Sequence, residues 1–271
     1  MNKDALKKFL KERRDGIAPE SLGLTRPAAR QGRRSLGLAQ DQVDELLNRA
    51  RNTYQKLEAG RYKNPPVDLL RDIACLYQLN EQEWTALCRY ARGEDPPTPL
   101  YDTTGYAVPA AWEDAVTRVV APAYVTDASW TVLAHNQPFE DLFIREPPAN
   151  TMRWMLVSGR EQLIDWEGAW APLVMPQLKA ALAQRPQDQV LRGIETDVCA
   201  DPASRALYEK GGASIHPDGH ERPIRHAVEG DGWVTMCAAQ PMASPGARFM
   251  ILIFRPDTQP PMDRPPLLKA P

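Results

Sequence analysis

Apolar residues recur at three-to-four spacing through the first ninety residues, whereas strand-like runs dominate the end of the chain. Asp4 to Asp15 predicts a helix with Leu6, Phe9 and Leu10 on one face. Residues 16–37, GIAPESLGLTRPAARQGRRSLG, are rich in Gly, Pro and Arg and predict a loop. AQDQVDELL and ARNTYQKLE then read as two short amphipathic helices around a turn at Asn48–Arg49. NPPVDLLRDIACLYQL predicts a fourth helix, with Pro65 and Pro66 in its first turn and Leu70, Ile73, Ala74 and Tyr77 inside. Asn80 and Glu83 form a capping box for a fifth, whose stripe is Trp84, Leu87, Cys88 and Ala91.

The pattern changes after Gly93. GEDPPTPLYDTTGYAVP, rich in proline and turn formers, predicts a semi-rigid linker. APAYVTDASWTVLAHN reads as two strands around a turn at Asp127–Ser129, and QPFEDLF opens a helix. Helical stretches follow in TMRWMLVSG, EGAWAPLVMPQLKAALAQ and PASRALYEKGG. HERPIRHAVE, GWVTMCAAQPM and ARFMILIFRP then read as strands separated by turns. The expected fold class is therefore multi-domain: an all-α domain over residues 1–93, a linker over 94–109 and an α+β sensor domain of the PAS type over 110–256. Residues 257–271, with little to bury, predict a disordered tail.

Charge sharpens this division. The formal net charge is −2, but residues 1–93 carry an excess of about six positive charges and the remainder an excess of about eight negative ones. A basic small domain beside an acidic larger one suits a nucleic-acid reader joined to something that is not one. No apolar run is long enough to span a bilayer, and MNKDALKKFLKERRDG places charges where a signal peptide needs an apolar core, so the expected location is the cytoplasm. Cys75, Cys88, Cys199 and Cys237 form no C-x-x-C pair, and Cys75 and Cys88 fall on predicted apolar helix faces. Neither a disulfide framework nor a zinc site is expected.

Residues 37–61 carry the functional motif. Val43, Leu46, Tyr54 and Leu57 have the spacing to pack two helices together, leaving Arg51, Asn52, Gln55 and Lys56 outward. Arg and Lys suit guanine edges, Asn and Gln suit adenine; Arg61, Tyr62 and Lys63 can reach phosphates. The segment resembles the lambda-repressor-like helix-turn-helix family, particularly in Leu57-Glu58-Ala59-Gly60-Arg61. The resemblance implies a phosphate contact for Gln40 and base-reading positions for Arg51, Asn52 and Lys56. Leu47 and Arg49 depart from the small and apolar residues usual there, and Asn48 replaces glycine, which an Asn can do because it tolerates the left-handed conformation.

Over nearly the whole chain the order of features resembles the MmyB-like regulators. The residues that carry this are Asn136-Gln137-Pro138-Phe139, Trp154, Asp165-Trp166-Glu167, Arg185-Pro186 and Arg225-His226. The resemblance implies transcription regulation, often near secondary-metabolite genes, and an apolar pocket in the second domain.

Other chemistry is weakly signalled. His216, Asp218, His220, Glu221 and His226 have spacings that suit zinc, but Pro217-Asp218-Gly219 reads as a turn and no second ligand cluster completes a site, so no metal is expected. His135 as a haem ligand rests on one residue, and no cofactor is expected. There is no G-x-S-x-G, phosphate-binding glycine loop or H-E-x-x-H, so the chain does not read as an enzyme. The rings of the second domain, Tyr124, Trp154, Trp166 and Phe249, are the expected walls of a pocket for a small, apolar ligand. The expected partners are double-stranded DNA, that ligand and a second copy of the chain in a homodimer, with no membrane contact. The competing reading is a protein-interaction module whose basic helical domain grips a protein partner, gated by the sensor.

Overall fold

Leu6 and Leu10 lie one turn apart on α1 (Lys3–Asp15) and are fully buried, because α1 has a single apolar face to offer. The computed structural model describes residues 2–26, 37–210 and 218–257. Part of the Gly/Arg-rich loop, His216 and nearly all of the predicted tail lie outside these residues. The chain divides into two units between Asp102 and Thr103, inside the stretch read as a linker.

The first unit is helical: α1, α2 (Gln40–Leu46), α3 (Thr53–Glu58), α4 (Val67–Leu76) and α5 (Glu81–Arg92). Leu38, Val43, Tyr54, Leu57, Leu70, Ile73, Trp84 and Leu87 join Leu6 and Leu10 in one core, which contains the apolar positions expected for α2 to α5 except Leu46, half-buried against it. The Asn80–Glu83 capping box forms as expected. Two local expectations need correction. α4 begins at Val67, with Pro66 outside the helix at ψ 144. Cys75 is exposed while Cys88 is buried, because α4 turns Leu70, Ile73 and Ala74 inward and Cys75 falls about 100° round from Ala74. The chain after α5 packs back on this unit: Arg71 donates to the carbonyls of Pro99 and Leu100, and the Trp84 indole donates to Thr98 O at 3.1 Å.

The second unit is α+β. β1 (Ala123–Thr126) and β2 (Val132–His135) form the first hairpin, followed by helices and then β3 (Glu221–His226), β4 (Gly230–Ala239) and β5 (Arg248–Pro256). All five pair antiparallel in the order β2-β1-β5-β4-β3. Strands, then helices, then strands of one sheet is the order the sequence predicts.

The intervening helices are α7 (Gln137–Asp141), α8 (Thr151–Arg153), α9 (Ala171–Gln184), α10 (Gln189–Ala200) and α11 (Pro202–Glu209), with π-helical turns at Trp154–Ser158 and Trp166–Trp170. They cover one sheet face, burying Tyr124, Ile224, Val234, Met236, Met250 and Leu252. α6 (Ala111–Thr117) packs on the other face, over Ala123, Val125, Phe249 and Ile251. α6 and α10 were not predicted. α10 contains Gly193 and several β-branched residues, and it relies on Asp188, whose carboxylate accepts from Val190 and Leu191 N–H.

Candidate nucleic-acid interface and binding cleft

In the first unit, α2 and α3 are joined by a turn in which Asn48 and Asn52 both take left-handed backbone, φ 50 and 67. Asparagine is among the few residues other than glycine that do this readily. Asp44, buried on α2, accepts a 2.7 Å hydrogen bond from Tyr54 N–H and so caps α3 from the preceding helix. That bond fixes the angle between the two helices. Arg49, in the turn, reaches to α4 and pairs with Asp72 at 2.5 Å and Asp68 at 3.7 Å. Its ion pair with Asp72, opposed by some desolvation, raises the guanidinium above its ordinary pKa.

A buried polar triad supports α3 from below. Arg14 of α1 donates to Glu58 at 3.0 Å, and Gln40 donates to the other Glu58 oxygen at 2.8 Å. Burial works against the Arg14 charge, but the bond and charge of Glu58 outweigh it and hold the guanidinium above its usual pKa. A second Arg14 bond, to Leu38 O, ties in the chain just before α2.

Arg51, Asn52, Gln55, Lys56, Arg61 and Lys63 are all exposed, and Gln40 is half-buried. The sequence places Arg51 and Asn52 on the second helix; instead Arg51 lies in the turn and Asn52 stands just before α3, with no capping bond from its own side chain. The reason is the left-handed Asn52 together with the Asp44–Tyr54 bond, which starts the helix at Thr53. Gln55 and Lys56 lie on the exposed side of α3, opposite Tyr54 and Leu57, both fully buried.

In the second unit, Tyr124 and Trp154 face one small void of about 30 Å³ with Phe139, Phe143, Met236 and Leu252. Burial pushes the Tyr124 hydroxyl up to about 12. Trp166 is packed into the helical layer, with its indole donating to Met155 O at 2.7 Å and Arg160 4.0 Å above its ring. Phe249 is on the other side of the sheet, its ring 5.3 Å from Trp112 of α6. β5 is apolar at nearly every position, so the sequence did not show which of Phe249 and Met250 faces the helices.

A larger opening, about 460 Å³, was not anticipated. Its walls include Trp130, Gln177, Gln184, Arg185, Gln240 and Arg248. Arg248 lies 3.6 Å over the Trp130 ring, and Trp130 is held in left-handed backbone at φ 64. Trp130, Gln177 and Arg248 also border an inner void of about 10 Å³, whose far wall includes Arg222 and Thr126. Two arginines at inward strand positions were the available signal. Arg222 shares its face of β3 with buried Ile224 and His226.

Among the described residues there is no group of three or more His, Cys, Asp or Glu placed to hold a metal. His226 is buried, its Nδ1 accepting from Val228 N–H at 3.1 Å. His135 lies 3.5 Å from Glu140. No helix among the described residues is long and apolar enough to cross a membrane.

Residues 108–263 match the family model described as the MmyB-like transcription regulator ligand binding domain, and residues 30–84 match a helix-turn-helix model. No curated protein matches the chain significantly.

Proposed function

Because the chain belongs to the MmyB-like transcription regulators, we propose that it is a sequence-specific DNA-binding regulator whose second unit senses a small molecule. The observation that carries the DNA half is the scaffold under the turn and α3. Asp44, Glu58, Arg14 and the core tyrosine fix the backbone, while Arg51, Asn52, Gln55 and Lys56 stay exposed. Rigid support with free readout side chains is what base recognition in the major groove requires. On this reading Arg51 and Asn52 meet bases from the turn that leads into α3, Gln55 and Lys56 from the helix, and Gln40, Arg61 and Lys63 contact phosphates.

One short recognition helix seldom supplies enough affinity, so the chain acts as a homodimer on a two-fold or repeated site. A ligand in the second unit shifts the dimer between states of different DNA affinity. The reading involves no catalysis and places the protein in the cytoplasm.

Selection from a randomised duplex library with the full chain tests this. Enrichment of a paired half-site motif, with affinity falling steeply as salt rises, supports it. Weak binding to all duplexes alike would favour the alternative in which the basic unit holds a protein partner.

A further inference from the structure

The exposed side of α1 carries a basic row that the helix-turn-helix reading leaves unused. Lys3, Lys7 and Lys11 follow one another at i, i+4 spacing, and all three are exposed. Like charges at that spacing repel one another along a helix surface. Lys3 also stands in the first turn, where the positive end of the helix dipole disfavours a cation. Among the described residues none of the three pairs with a carboxylate, whereas their neighbour Lys8 meets Glu12 at 4.0 Å. The row therefore costs α1 stability, and a polyanion alongside it removes that cost.

The row lies on a particular flank of the helix. At about 100° per residue, Lys3 and Lys7 each fall about 20° from Arg14 round the α1 axis. Arg14 faces α3, because it donates to Glu58 there at 3.0 Å. One turn before it, the Leu10 carbonyl accepts from the Tyr54 hydroxyl of α3 at 3.2 Å.

Lys3 itself touches the chain as it leaves α3. Gly60, at φ 63, has no side chain, and a Cβ there would come within 2.8 Å of Lys3 Cγ and 2.9 Å of its Cβ. The aliphatic stem of Lys3 thus lies on the Gly60 backbone, while the residue as a whole stays exposed. Arg61 and Lys63, also exposed, follow Gly60 directly. Lys3 borders this basic loop, and Lys7 continues the charge one turn further along α1.

We propose that Lys3 and Lys7 form a second line of contact with the DNA backbone, outside the base-reading residues. Their ammonium groups meet phosphates that flank the half-site, next to those assigned to Arg61 and Lys63. This rests on the reading of the first unit as a DNA reader and extends its footprint. Lysine suits the role, because a compact charge on a flexible stem meets a phosphate without reading sequence. Continuity with the loop that leaves α3 favours a duplex over an acidic protein segment as the occupant.

The test uses the full chain and the duplex enriched from the randomised library. Affinity is measured by fluorescence anisotropy across a range of salt concentrations. Each phosphate contact contributes about 0.9 to the slope of log affinity against log salt. Lys3→Gln and Lys7→Gln should therefore each make the slope shallower by about one, and the double variant by about two. Near about 0.1 M salt each should weaken binding about three- to tenfold, alike on selected and scrambled duplexes. Lys8→Gln, about 100° round from Lys7, should leave the slope as it is. Each change at Lys3 or Lys7 removes a like-charge neighbour, so neither variant should melt lower than the parent chain.

An unchanged slope in either variant would overturn the assignment of that lysine. An equal fall in Lys8→Gln would overturn both, because the effect would then be long-range charge and not contact. A parent chain that selects no duplex sinks the regulator reading and this surface with it. A parent that selects one, with slopes unmoved by both variants, sinks this surface alone.

Discussion

Both units of this protein bury arginines, and Arg14 and Arg222 are treated in opposite ways. Arg14 in the first unit meets Glu58 at 3.0 Å, and the same carboxylate is closed on its other side by Gln40. Arg222 in the second unit is buried more deeply, yet two of its nitrogens meet nothing. A buried charge whose partners are complete is part of a scaffold: it fixes one arrangement of α1, α2 and α3 and has no capacity left to bind anything. A buried charge left open has that capacity, and its cost falls when a ligand arrives. The same residue type therefore marks rigidity at Arg14, and at Arg255 with its Glu221 partner, and receptivity at Arg222.

Removing one partner from the closed arrangement should have the largest effect. Glu58→Leu takes away the buried partner of Arg14, leaving it Asp15 at 3.3 Å, and strips Gln40 of its acceptor, so unfolding in urea should show a loss of about 3 kcal/mol. Arg222→Met, which orphans no hydrogen-bond partner, should show no such loss. If the two variants are equally destabilised, Arg222 has a structural partner and the contrast between the units fails.

The next effect in size concerns the angle between α2 and α3. Asp44→Ala leaves Tyr54 N–H without its acceptor inside the core, which should cost about 1–3 kcal/mol. It should also weaken duplex binding although Asp44 is buried and touches no DNA in the proposed complex. Intact binding in a destabilised variant would mean that α3 keeps its angle by other contacts.

Much of the first unit was legible because its helices are amphipathic and its cap is written locally. Val43, Tyr54 and Leu57 recur at helical spacing, and Asn80 with Glu83 announces a helix start in four residues. What was not legible depends on contacts distant in sequence or on backbone sign. Nothing local shows that Asp44 caps Tyr54 ten residues on, so the second helix was begun too early and Arg51 and Asn52 were placed within it.

In the second unit the strands were legible from spacing and turn residues, but a strand as uniformly apolar as β5 does not declare its faces. Phe249 went to the wrong side of the sheet for that reason. The ring content of the second unit does not point to the polar cleft. The informative residues were charged ones at inward strand positions, Arg222 and Arg248.

The left-handed Asn52 changes how the proposed readout is best tested. Asn52→Ala mixes the loss of an amide with strain at φ 67, whereas Asn52→Gly keeps the backbone and deletes the amide alone. Asn52→Gly and Arg51→Ala should each weaken binding to the selected duplex by about 1–3 kcal/mol and relax preference at one base pair, with the melting temperature nearly unchanged. Uniform weakening on every duplex would reassign them as phosphate contacts.

The smallest expected effect is a pH dependence that separates the buried histidine from the buried arginines. Desolvation lowers the pKa of His226 in the folded chain, against an opposing pull from Glu229 and Asp141. Its Nδ1 accepts from Val228 and Glu229 N–H, so protonation there breaks both bonds. With the folded pKa below the unfolded value of about 6.5, the unfolded chain binds the proton first as pH falls. The stability held by neutral His226 is therefore present above about pH 6.5 and declines as pH drops through the folded pKa below it. Urea unfolding between pH 7.5 and 5 should show this decline in the parent chain and a shallower one in His226→Gln. The arginines stay charged throughout that window, so Arg222→Met should leave the slope as it is. A slope that flattens in Arg222→Met but not in His226→Gln would show that the titrating group is not His226.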